Sequence, residues 1–335
     1  MDDFFTAYDE LCMQRALQLA RGGLGDTRSN PMVGAVIVAA DGRVIGQGYH
    51  RRCGGPHAEV WAVRSVADAD RPLLPDATIY VTLEPCAHYG KTPPCAKLIV
   101  DTGIGHVVVA TSDPFAKVAG RGIAILRDAG CDVRVGLMSD AAQQLNAPFF
   151  TAHSLHRPFV TLKWAMSADG FMDARRDDGR GAVRFSTPLG TVLVHRLRAT
   201  HQAIMVGSGT AIADRPQLDV RRWNGDNPRR VVVDRRGRTG EPTPGFADLL
   251  TQLYADGVTS VLVEGGPTLL RSILDAGLWD LARVEVSPHR LADRGNAAMT
   301  APDRTPLAAR PIGDNTLYYY SNNPLVTPYF LANGL

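Results

Sequence analysis

Apolar and polar positions alternate along the chain in a way that predicts two successive α/β units. Residues 3–21 carry apolar side chains at helical spacing and end at Gly22-Gly23, which predicts a helix. Short apolar runs then alternate with helical stretches as far as residue 136, and the alternation resumes at Phe159. This alternation is typical of helices packed on a sheet, so we expect a three-layer α/β domain followed by a second α/β domain.

The individual elements follow from the same pattern. In the first half, strands are predicted at 33–38, 44–48, 77–83, 106–111 and 132–136, and helices are predicted from Pro56 and over 122–129. In the second half, strands are predicted at 159–165, 203–207, 230–234, 260–264, 281–287 and 316–320, and helices at 188–199, 247–256 and 267–276. A helix at 141–146 and a His-rich turn flanked by Pro148 and Pro158 predict a connector. The predicted domains are therefore 1–145 and 158–335, with a linker at 146–157.

Composition narrows the class of protein. The 335 residues are enough for two domains, and a net charge of +2 gives no reason to expect a nucleic-acid partner. The longest apolar run, 32–40, is too short to cross a bilayer, and the acidic N-terminus lacks the features of a signal peptide. Five cysteines are an odd number, which favours a reducing cytoplasm over a disulfide framework. We therefore expect a cytoplasmic protein without a membrane partner.

The candidate metal-binding and catalytic residues lie between positions 57 and 95. His57, Cys86 and Cys95 are three candidate zinc ligands, and Glu59 follows His57 by two residues. Three protein ligands leave the fourth zinc position to water, and the pattern H-x-E followed by P-C is typical of zinc-dependent deaminases. In such enzymes zinc makes water acidic enough to attack an amine-bearing ring carbon, and the carboxylate transfers the proton to the departing ammonia. The spacing therefore predicts hydrolytic deamination, with Glu59 as the acid/base group.

A closed structural zinc site is the alternative interpretation. Such a site needs four ligands, usually in short C-x-x-C pairs, and only His88 could supply the fourth. Glu59 would then have no task, so we favour the open site.

Several motifs resemble the bifunctional deaminase–reductase family of riboflavin biosynthesis. In the first half these are 30–34 (NPMVG), 48–50 (GYH), 55–59 (GPHAE), 82–86 (TLEPC), 91–95 (KTPPC) and 119–122 (AGRG). The eight residues between Cys86 and Cys95 also match this family, whereas nucleoside and tRNA deaminases usually have two. The resemblance implies that Asn30, His50 and Lys91 contact the pyrimidine and its ribose phosphate, and that the domain has a cytidine-deaminase-like α/β/α fold. A turn residue at Asn30 and a solvated surface residue at His50 are the alternatives.

The second half has no G-x-G-x-x-G after a strand, so a Rossmann fingerprint is absent. Gly265-Gly266 and Gly207-Ser208-Gly209 instead place small residues between a strand and a helix, where backbone N–H groups can approach a phosphate. Segments 163–170, 196–199, 203–207, 210–221 and 263–269 resemble the reductase half of the same family. That resemblance implies a dihydrofolate-reductase-like α/β fold and NADPH as the second cofactor, beside Zn²⁺.

The same resemblance implies which residues of the second half form its site. The substrate would contact Arg198, Leu218, Arg221 and Glu264. NADPH would be lined by Ala165, Ser167, Thr210, Asp214, Gly266, Pro267, Thr268, Leu269, Leu270, Arg271 and Ser272. Alternatives remain for Arg198, as part of a solvated helix face, and for Asp214, as a turn or cap residue. We also hypothesise that Arg235 or Arg236 contacts the NADPH 2′-phosphate.

The resulting prediction is a riboflavin-pathway enzyme with two activities. Its first domain would deaminate 2,5-diamino-6-(5-phosphoribosylamino)pyrimidin-4-one, and its second would reduce the ribosyl side chain to ribityl with NADPH. A small-molecule substrate and no nucleic acid are expected, and the sequence also allows a homo-oligomer. The alternative is a deaminase acting on nucleosides or tRNA, with a non-catalytic binding or assembly module as its C-terminal half.

Overall fold

The chain folds into two compact units, each built around its own sheet. The structure, a computed structural model, describes residues 5–88, 93–115, 118–176 and 181–334. The first unit spans Met1–Ser154 with Ala332–Leu335, and the second spans Leu155–Leu331. No helix among the described residues is both long and apolar enough to span a membrane.

The first unit contains a five-stranded mixed sheet. Its strands are β1 (Gly34–Val38), β2 (Val44–Tyr49), β3 (Thr78–Val81), β4 (His106–Val109) and β5 (Asp132–Val135). They lie in the order β2-β1-β3-β4-β5. The first strand is antiparallel to both of its neighbours, whereas β3, β4 and β5 are parallel. The carboxyl ends of the three parallel strands therefore meet at one edge of the sheet.

Helices cover both faces of this sheet. They are α1 (Ala7–Ala20), α2 (Ala58–Arg64), α3 (Cys95–Asp101), α4 (Arg121–Asp128), α5 (Ser139–Leu145) and α6 (Ala147–Leu155). Ala58, Ile99 and Leu126, from α2, α3 and α4, share one buried cluster with sheet residues such as Ile37 and Val107. On the other face, the hydroxyl group of Tyr80 in β3 donates a hydrogen bond to Asp9 in α1. This is the three-layer α/β/α arrangement that the sequence predicts.

The second unit contains a seven-stranded sheet and a small two-stranded one. The strands are β6 (Phe159–Met166), β7 (Phe171–Ala174), β8 (Ala203–Gly207), β9 (Arg229–Val233), β10 (Ser260–Val263), β11 (Leu281–Val286), β12 (Gly295–Ala298), β13 (Ala308–Ile312) and β14 (Asn315–Ser321). The large sheet has the order β13-β14-β11-β6-β10-β8-β9, and β12 pairs with β7. Strands β11, β6, β10, β8 and β9 are parallel, and β14 and β13 close the sheet antiparallel.

Two faces of the large sheet differ in chemistry. The helices of this unit are α7 (Pro188–Ala199), α8 (Ser208–Asp214), α9 (Phe246–Ala255), α10 (Pro267–Asp275) and α11 (Pro328–Asn333). Residues of α9 and α10, such as Leu250 and Ile273, form an apolar core with Leu162 and Val263 on one face. The opposite face carries polar side chains, among them Thr161, which is hydrogen-bonded to His201 just after α7. This polar face holds the candidate reductase groups.

The sequence pattern predicts most elements to within two residues but is wrong about the connector. Residues 147–155 form α6, where a His-rich turn was expected, and Phe149 and Phe150 are buried. The short strands β7, β12 and β13 have no counterpart in the pattern, because their residues show little apolar alternation. The proposed domain limits at 145 and 158 stay a prediction.

A buried aspartate ties three distant segments of the second unit together. Asp280, at the start of β11, accepts hydrogen bonds from Arg157 (Nη1 2.7 Å, Nη2 2.9 Å) and from the amide of Val160 (2.7 Å). The amide group of Asn323 donates a further hydrogen bond to it, at 2.9 Å. The Asp280 carboxylate therefore fixes the start of β6, the start of β11 and the segment after β14.

We predict that Asp280→Ala destabilises the second unit by about 3–5 kcal/mol, because Arg157 keeps a largely buried charge without its partner. The matched control is Asp256→Ala, which breaks an exposed ion pair with Arg229 and should change stability little. Denaturant unfolding followed by tryptophan fluorescence measures both variants. Equal midpoints for the two would contradict the anchoring role of Asp280.

Candidate active site

Three separate elements of the first unit bring one imidazole and two sulfur atoms together. His57 is the residue that caps the N-terminus of α2, Cys86 follows β3, and Cys95 is the first residue of α3. His57 therefore precedes the helix, whereas the sequence pattern placed it inside. Their ligand atoms lie within 4.8 Å of one another, although 38 residues separate His57 from Cys95.

The distances in this cluster suit a tetrahedral zinc ion. His57 Nδ1 lies 3.6 Å from Cys86 Sγ and 3.3 Å from Cys95 Sγ. Zinc bonds of ordinary length at a tetrahedral angle would separate nitrogen from sulfur by about 3.6 Å. His88, the candidate fourth ligand of a structural site, is exposed and does not belong to the cluster. The donor set thus fits an open zinc site with a position left for water.

Glu59 lies in the first turn of α2, beside the three ligands, and is buried. Its Oε2 atom has no hydrogen-bond partner among the residues that the structure describes. Burial raises the pKa of this carboxyl group. A buried carboxyl with an unpaired oxygen has a large desolvation cost, so a ligand that hydrogen-bonds to it would be strongly favoured. A water molecule held by a metal at this position would satisfy that oxygen.

The cluster favours the thiolate form of Cys86, whereas the hydrogen bond with Cys86 and burial raise the pKa of the Cys95 thiol. The pKa of Cys86 is lowered to about 4, because the Cys95 thiol, the His57 ring and the backbone N–H of Cys95 form hydrogen bonds with its sulfur. The N–H group lies 3.3 Å from the Cys86 sulfur and belongs to the first turn of α3, where backbone donors have no helical partner. Such an environment prepares a sulfur atom for metal binding.

Glu84, two residues before Cys86, holds the loop that carries this ligand. Its buried carboxylate accepts hydrogen bonds from the backbone N–H groups of Asp113 (3.2 Å), Gly120 (3.0 Å) and Gly122 (3.0 Å). A Cβ atom at Gly122 would overlap the carbonyl oxygen of Pro85, so the start of α4 can approach this loop only with glycine there. In the sequence Glu84 is recognisable only as part of a motif, because its backbone donors lie 29 to 38 residues away and leave no mark in a local pattern.

The predicted substrate residues of the first unit lie next to the metal cluster. His50 is buried, and its ring packs edge-on against the ring of His57 with centroids 5.2 Å apart. Its Nε2 atom lies 3.2 Å from the amide nitrogen of Asn30, and its Nδ1 atom lies 3.1 Å from the carbonyl oxygen of Pro56. The alternative of a solvated surface residue at His50 is therefore wrong. Lys91 lies outside the described residues.

In the second unit, the predicted substrate residues Arg198 and Glu264 contact each other directly. Arg198 of α7 donates from Nε to Glu264 Oε1 (2.7 Å) and from Nη2 to Oε2 (2.9 Å), and Nη1 donates to the carbonyl oxygen of Asp219 (3.0 Å). Both side chains are largely buried, which contradicts the alternative of a solvated helix face for Arg198. Arg198 keeps two N–H groups for other acceptors, since three of its five are used.

Two further predicted substrate residues flank Asp219. Arg221 forms an ion pair with the Asp219 carboxylate and is about half exposed, at 51% of its side chain. Leu218 is buried and has a φ of 52°, in the left-handed region that a leucine rarely adopts. Backbone strain of this kind is concentrated at functional sites, where surrounding structure holds it.

Two of the predicted cofactor residues, Thr210 and Gly266, lie close together where two strand-to-helix turns meet. Gly207 precedes α8 and Gly266 precedes α10, and a Cβ atom at Gly266 would lie 3.6 Å from the hydroxyl oxygen of Thr210. A larger residue in place of Gly207 or Gly266 would reduce the space between the two turns. The backbone N–H groups at the start of α10 have no helical partner, so this turn fits a phosphate-bearing cofactor such as NADPH.

The other predicted cofactor residues lie in several different elements of the second unit. Ala165 lies near the end of β6, and the Ser167 hydroxyl donates to Asp169 (2.6 Å) within the turn before β7. Asp214 forms an ion pair with Arg176 (2.7 Å). In α10, Leu270 is part of the apolar core, and the Arg271 guanidinium donates to the carbonyl oxygen of Ala298 (3.1 Å). The remaining residues of that stretch, Pro267, Thr268, Leu269 and Ser272, form the first turns of α10.

Two cations of the polar sheet face were not among the predicted site residues: Lys163, which is partly exposed, and Arg283, which is buried. Lys163 of β6 and Arg283 of β11 are paired in register on neighbouring parallel strands. In the sequence, Lys163 is recognisable only as part of a motif. Arg283 is a single arginine in an apolar run, and such a run does not indicate which strand pairs with it.

Comparison with known proteins covers both halves of the chain. Residues 6–111 match the cytidine and deoxycytidylate deaminase zinc-binding region, and residues 158–302 match the RibD C-terminal domain. The chain is 36% identical to the riboflavin biosynthesis protein RibD of Escherichia coli, covering 90% of this chain and 94% of that protein. It is 35% identical to RibD of Aquifex aeolicus, covering 84% of this chain and 87% of that protein.

Solved structures agree with these relatives. Form 1 of Acinetobacter baumannii RibD superposes with a TM-score of 0.82 at 33% identity, covering 93% of this chain and 98% of that chain. A diaminohydroxyphosphoribosylaminopyrimidine deaminase/5-amino-6-(5-phosphoribosylamino)uracil reductase from Thermotoga maritima gives a TM-score of 0.78 at 32% identity, with the same coverage.

The fold and the two sites define a bifunctional enzyme, with a zinc-dependent deaminase followed by an NADPH-dependent reductase. The chain belongs to the RibD family of riboflavin biosynthesis proteins.

We predict that Glu84→Gln weakens zinc binding by about ten- to a hundredfold, because an amide has a single acceptor oxygen and no charge for the backbone donors that fix the Cys86 loop. Competition with a chromogenic chelator measures the zinc affinity. Glu10→Gln, at an exposed carboxylate on α1, is the control and should match the parent protein. Unchanged zinc affinity in Glu84→Gln would show that this cradle does not support the site.

Proposed function

We propose that the first unit hydrolyses the amine of 2,5-diamino-6-(5-phosphoribosylamino)pyrimidin-4-one, with His57, Cys86 and Cys95 as zinc ligands. The observation that carries the proposal is the three-ligand cluster beside a buried carboxylate with an unpaired oxygen. When bound, zinc supplies a water acidic enough to attack an amine-bearing ring carbon at neutral pH. Glu59 takes up the proton at Oε2 and delivers it to the departing amine, which leaves as ammonia.

Substrate orientation in the first unit is assigned to Asn30, His50 and Lys91. Asn30 and His50 are supported by their contact with each other and by the packing of His50 on His57. Burial lowers the pKa of His50, so its ring is neutral near pH 7, and a pyrimidine would take the place of one of its two present partners, Asn30 or the carbonyl oxygen of Pro56. The assignment of Lys91 rests on the family resemblance, and its positive charge suits the ribose phosphate.

The second unit is proposed to reduce the ribosyl group of the deaminated product to a ribityl chain. When bound, NADPH supplies the hydride. Arg198, Leu218, Arg221 and Glu264 are the proposed substrate contacts, and the half-exposed guanidinium of Arg221 is well placed to meet a phosphate. The cofactor contacts are proposed at Ala165, Ser167, Thr210, Asp214 and Gly266–Ser272, supported by the adjoining turns at Gly207 and Gly266.

A cytoplasmic location and a small-molecule substrate, without nucleic acid or membrane partners, complete the proposal. All five cysteines are free, and two of them are the proposed ligands, which suits a reducing compartment. Assembly into a homo-oligomer stays a prediction. The alternative of a nucleoside or tRNA deaminase with a non-catalytic C-terminal module is not favoured, since both halves match RibD over most of their length.

We predict that Glu59→Gln lowers the rate of ammonia release from the diaminopyrimidine by at least about a hundredfold while zinc stays bound, because the amide cannot transfer the proton. Ammonia release and metal content of the same sample measure the two properties. Reduction of the deaminated product should continue at the parent rate.

The matched variant in the other half is Glu264→Gln, which should impair NADPH oxidation and leave ammonia release intact. Ammonia release at the parent rate by Glu59→Gln would disprove the acid/base role. Loss of both activities in either variant would instead point to a general folding defect, which thermal unfolding detects.

We predict that replacing both Arg235 and Arg236 by alanine lowers the preference for NADPH over NADH by about ten- to a hundredfold. Both side chains are exposed in the turn after β9, and each could pair with a 2′-phosphate that NADH lacks. The ratio of kcat/KM for the two cofactors measures the preference. Arg229→Ala, an exposed arginine at the other end of β9, is the control, and an unchanged ratio in the double variant would refute the assignment.

A further inference from the structure

Arg283 is a buried arginine on the polar face of the large sheet. Its side chain projects from the middle of β11, and the residue is 3% exposed. Neither Nη1 nor Nη2 has a hydrogen-bond partner among the described residues. An unpaired guanidinium in the interior is costly, so its retention needs an explanation.

The register of the sheet places Arg283 beside Lys163. Parallel pairing of β6 and β11 aligns these two residues, and neighbouring strands lie about 4.8 Å apart, with aligned side chains on the same face. Glu264 directly follows β10 on the other side of Lys163, because Val263 is aligned with Leu162. A line of three charges therefore crosses the sheet, with the Lys163 ammonium between a carboxylate and a guanidinium.

Other charges facing Lys163 come from each element packed around it. These charges are Glu285 of β11 and Arg198 of α7. Glu264 already accepts a hydrogen bond from Arg198. Glu285 accepts hydrogen bonds from Ser186, Thr187 and Asn315. His201, which is bonded to Thr161, has its pKa lowered to about 4 by burial and is neutral near pH 7. Burial lowers the pKa of Lys163; Arg283 and Arg198 lower it further, whereas Glu264 and Glu285 raise it.

We propose that Arg283 is a positioning residue for the reduction: by repelling the Lys163 ammonium from β11, it holds this group toward the proposed substrate contact Glu264, which follows β10. This inference rests on the proposed reductase function of the second unit. Because the Nη1 and Nη2 atoms of Arg283 have no accessible surface, we expect Arg283 to act through Lys163.

The proposed reduction needs a proton donor. Reduction of the ribosyl group forms a bond between the hydride and C1′ and breaks the C1′–O4′ bond, whose electron pair stays with O4′. The ring oxygen then takes a proton and becomes the new hydroxyl of the ribityl chain. A lysine with a depressed pKa releases its proton more readily, and the neighbouring Arg283 charge provides part of that depression.

The experiment follows the ionisation of Lys163 itself. The chain has four lysines, at positions 91, 97, 117 and 163, so full-length protein labelled with ¹³C at lysine Cε gives four signals, and Lys163→Arg assigns the one of interest. In Arg283→Met, we expect the Lys163 titration midpoint to move to higher pH. We also expect the rate of NADPH oxidation with the deaminated substrate to fall by about ten- to a hundredfold near neutral pH, because the Lys163 ammonium is less well positioned. The pH profile of this rate should move to higher pH together with the Lys163 midpoint.

Two variants separate charge from structure. Arg283→Lys keeps a positive charge and should keep the midpoint and most of the activity. Arg310→Met removes an exposed arginine from β13 of the same sheet and should change neither. Ammonia release by the first unit and thermal unfolding verify that each variant is folded.

The proposal is overturned if the Lys163 midpoint in Arg283→Met equals that of the parent chain, or if Arg283→Lys loses as much activity as Arg283→Met. A parent chain that never oxidises NADPH with the deaminated substrate would overturn the reductase function instead. In that case the midpoint shift would still be seen, so the two failures are distinguishable.

Discussion

The deaminase half depends on holding two sulfur atoms and an imidazole nitrogen within bonding range of one ion. Each comes from a different element, and the backbone around them is fixed by hydrogen bonds, chiefly those that the Glu84 carboxylate accepts from the start of α4. The N-terminal turn of α3 adds an N–H donor to the Cys86 sulfur. Because this framework is set by the fold, the ligands are arranged for a metal without needing to move toward it, and Glu59 has its unpaired oxygen beside them.

The second unit differs, because several charged side chains lie on one face of its large sheet and are wholly or largely shielded from solvent. One face of the sheet is an ordinary apolar core under α9 and α10. The other face, near α7, carries Lys163, Arg198, Arg283, Glu264 and Glu285. Arg198 and Glu264 neutralise each other through a bidentate contact, and Glu285 accepts several hydrogen bonds from neutral groups. Buried charge of this kind adds little stability, so we infer that it is kept for chemistry.

Local patterns predicted the elements well where a helix or strand buries a regular face. Helix α7 and strand β8 have the bounds that the apolar spacing gives, and the proline at the start of α7 marks its first turn. The pattern was wrong for residues 147–155, where histidines and a proline indicated a turn. That segment is helical because Phe149, Phe150 and Ala152 gain burial, a tertiary contribution that outweighs local preference.

The sequence by itself determined the candidate zinc ligands, the acid/base carboxylate and the order of the two domains, because each depends on residue types at short or recognisable spacing. Only the tertiary structure decided that Glu84 supports the metal loop, that His50 packs on His57, that Arg198 is paired with Glu264 and that Arg283 faces Lys163. These relations join residues from 7 to 120 positions apart, in neighbouring loops, on neighbouring strands or across a helix and a sheet. Strand order and register, which set them, arise from packing the whole chain and leave no periodic trace in any one segment.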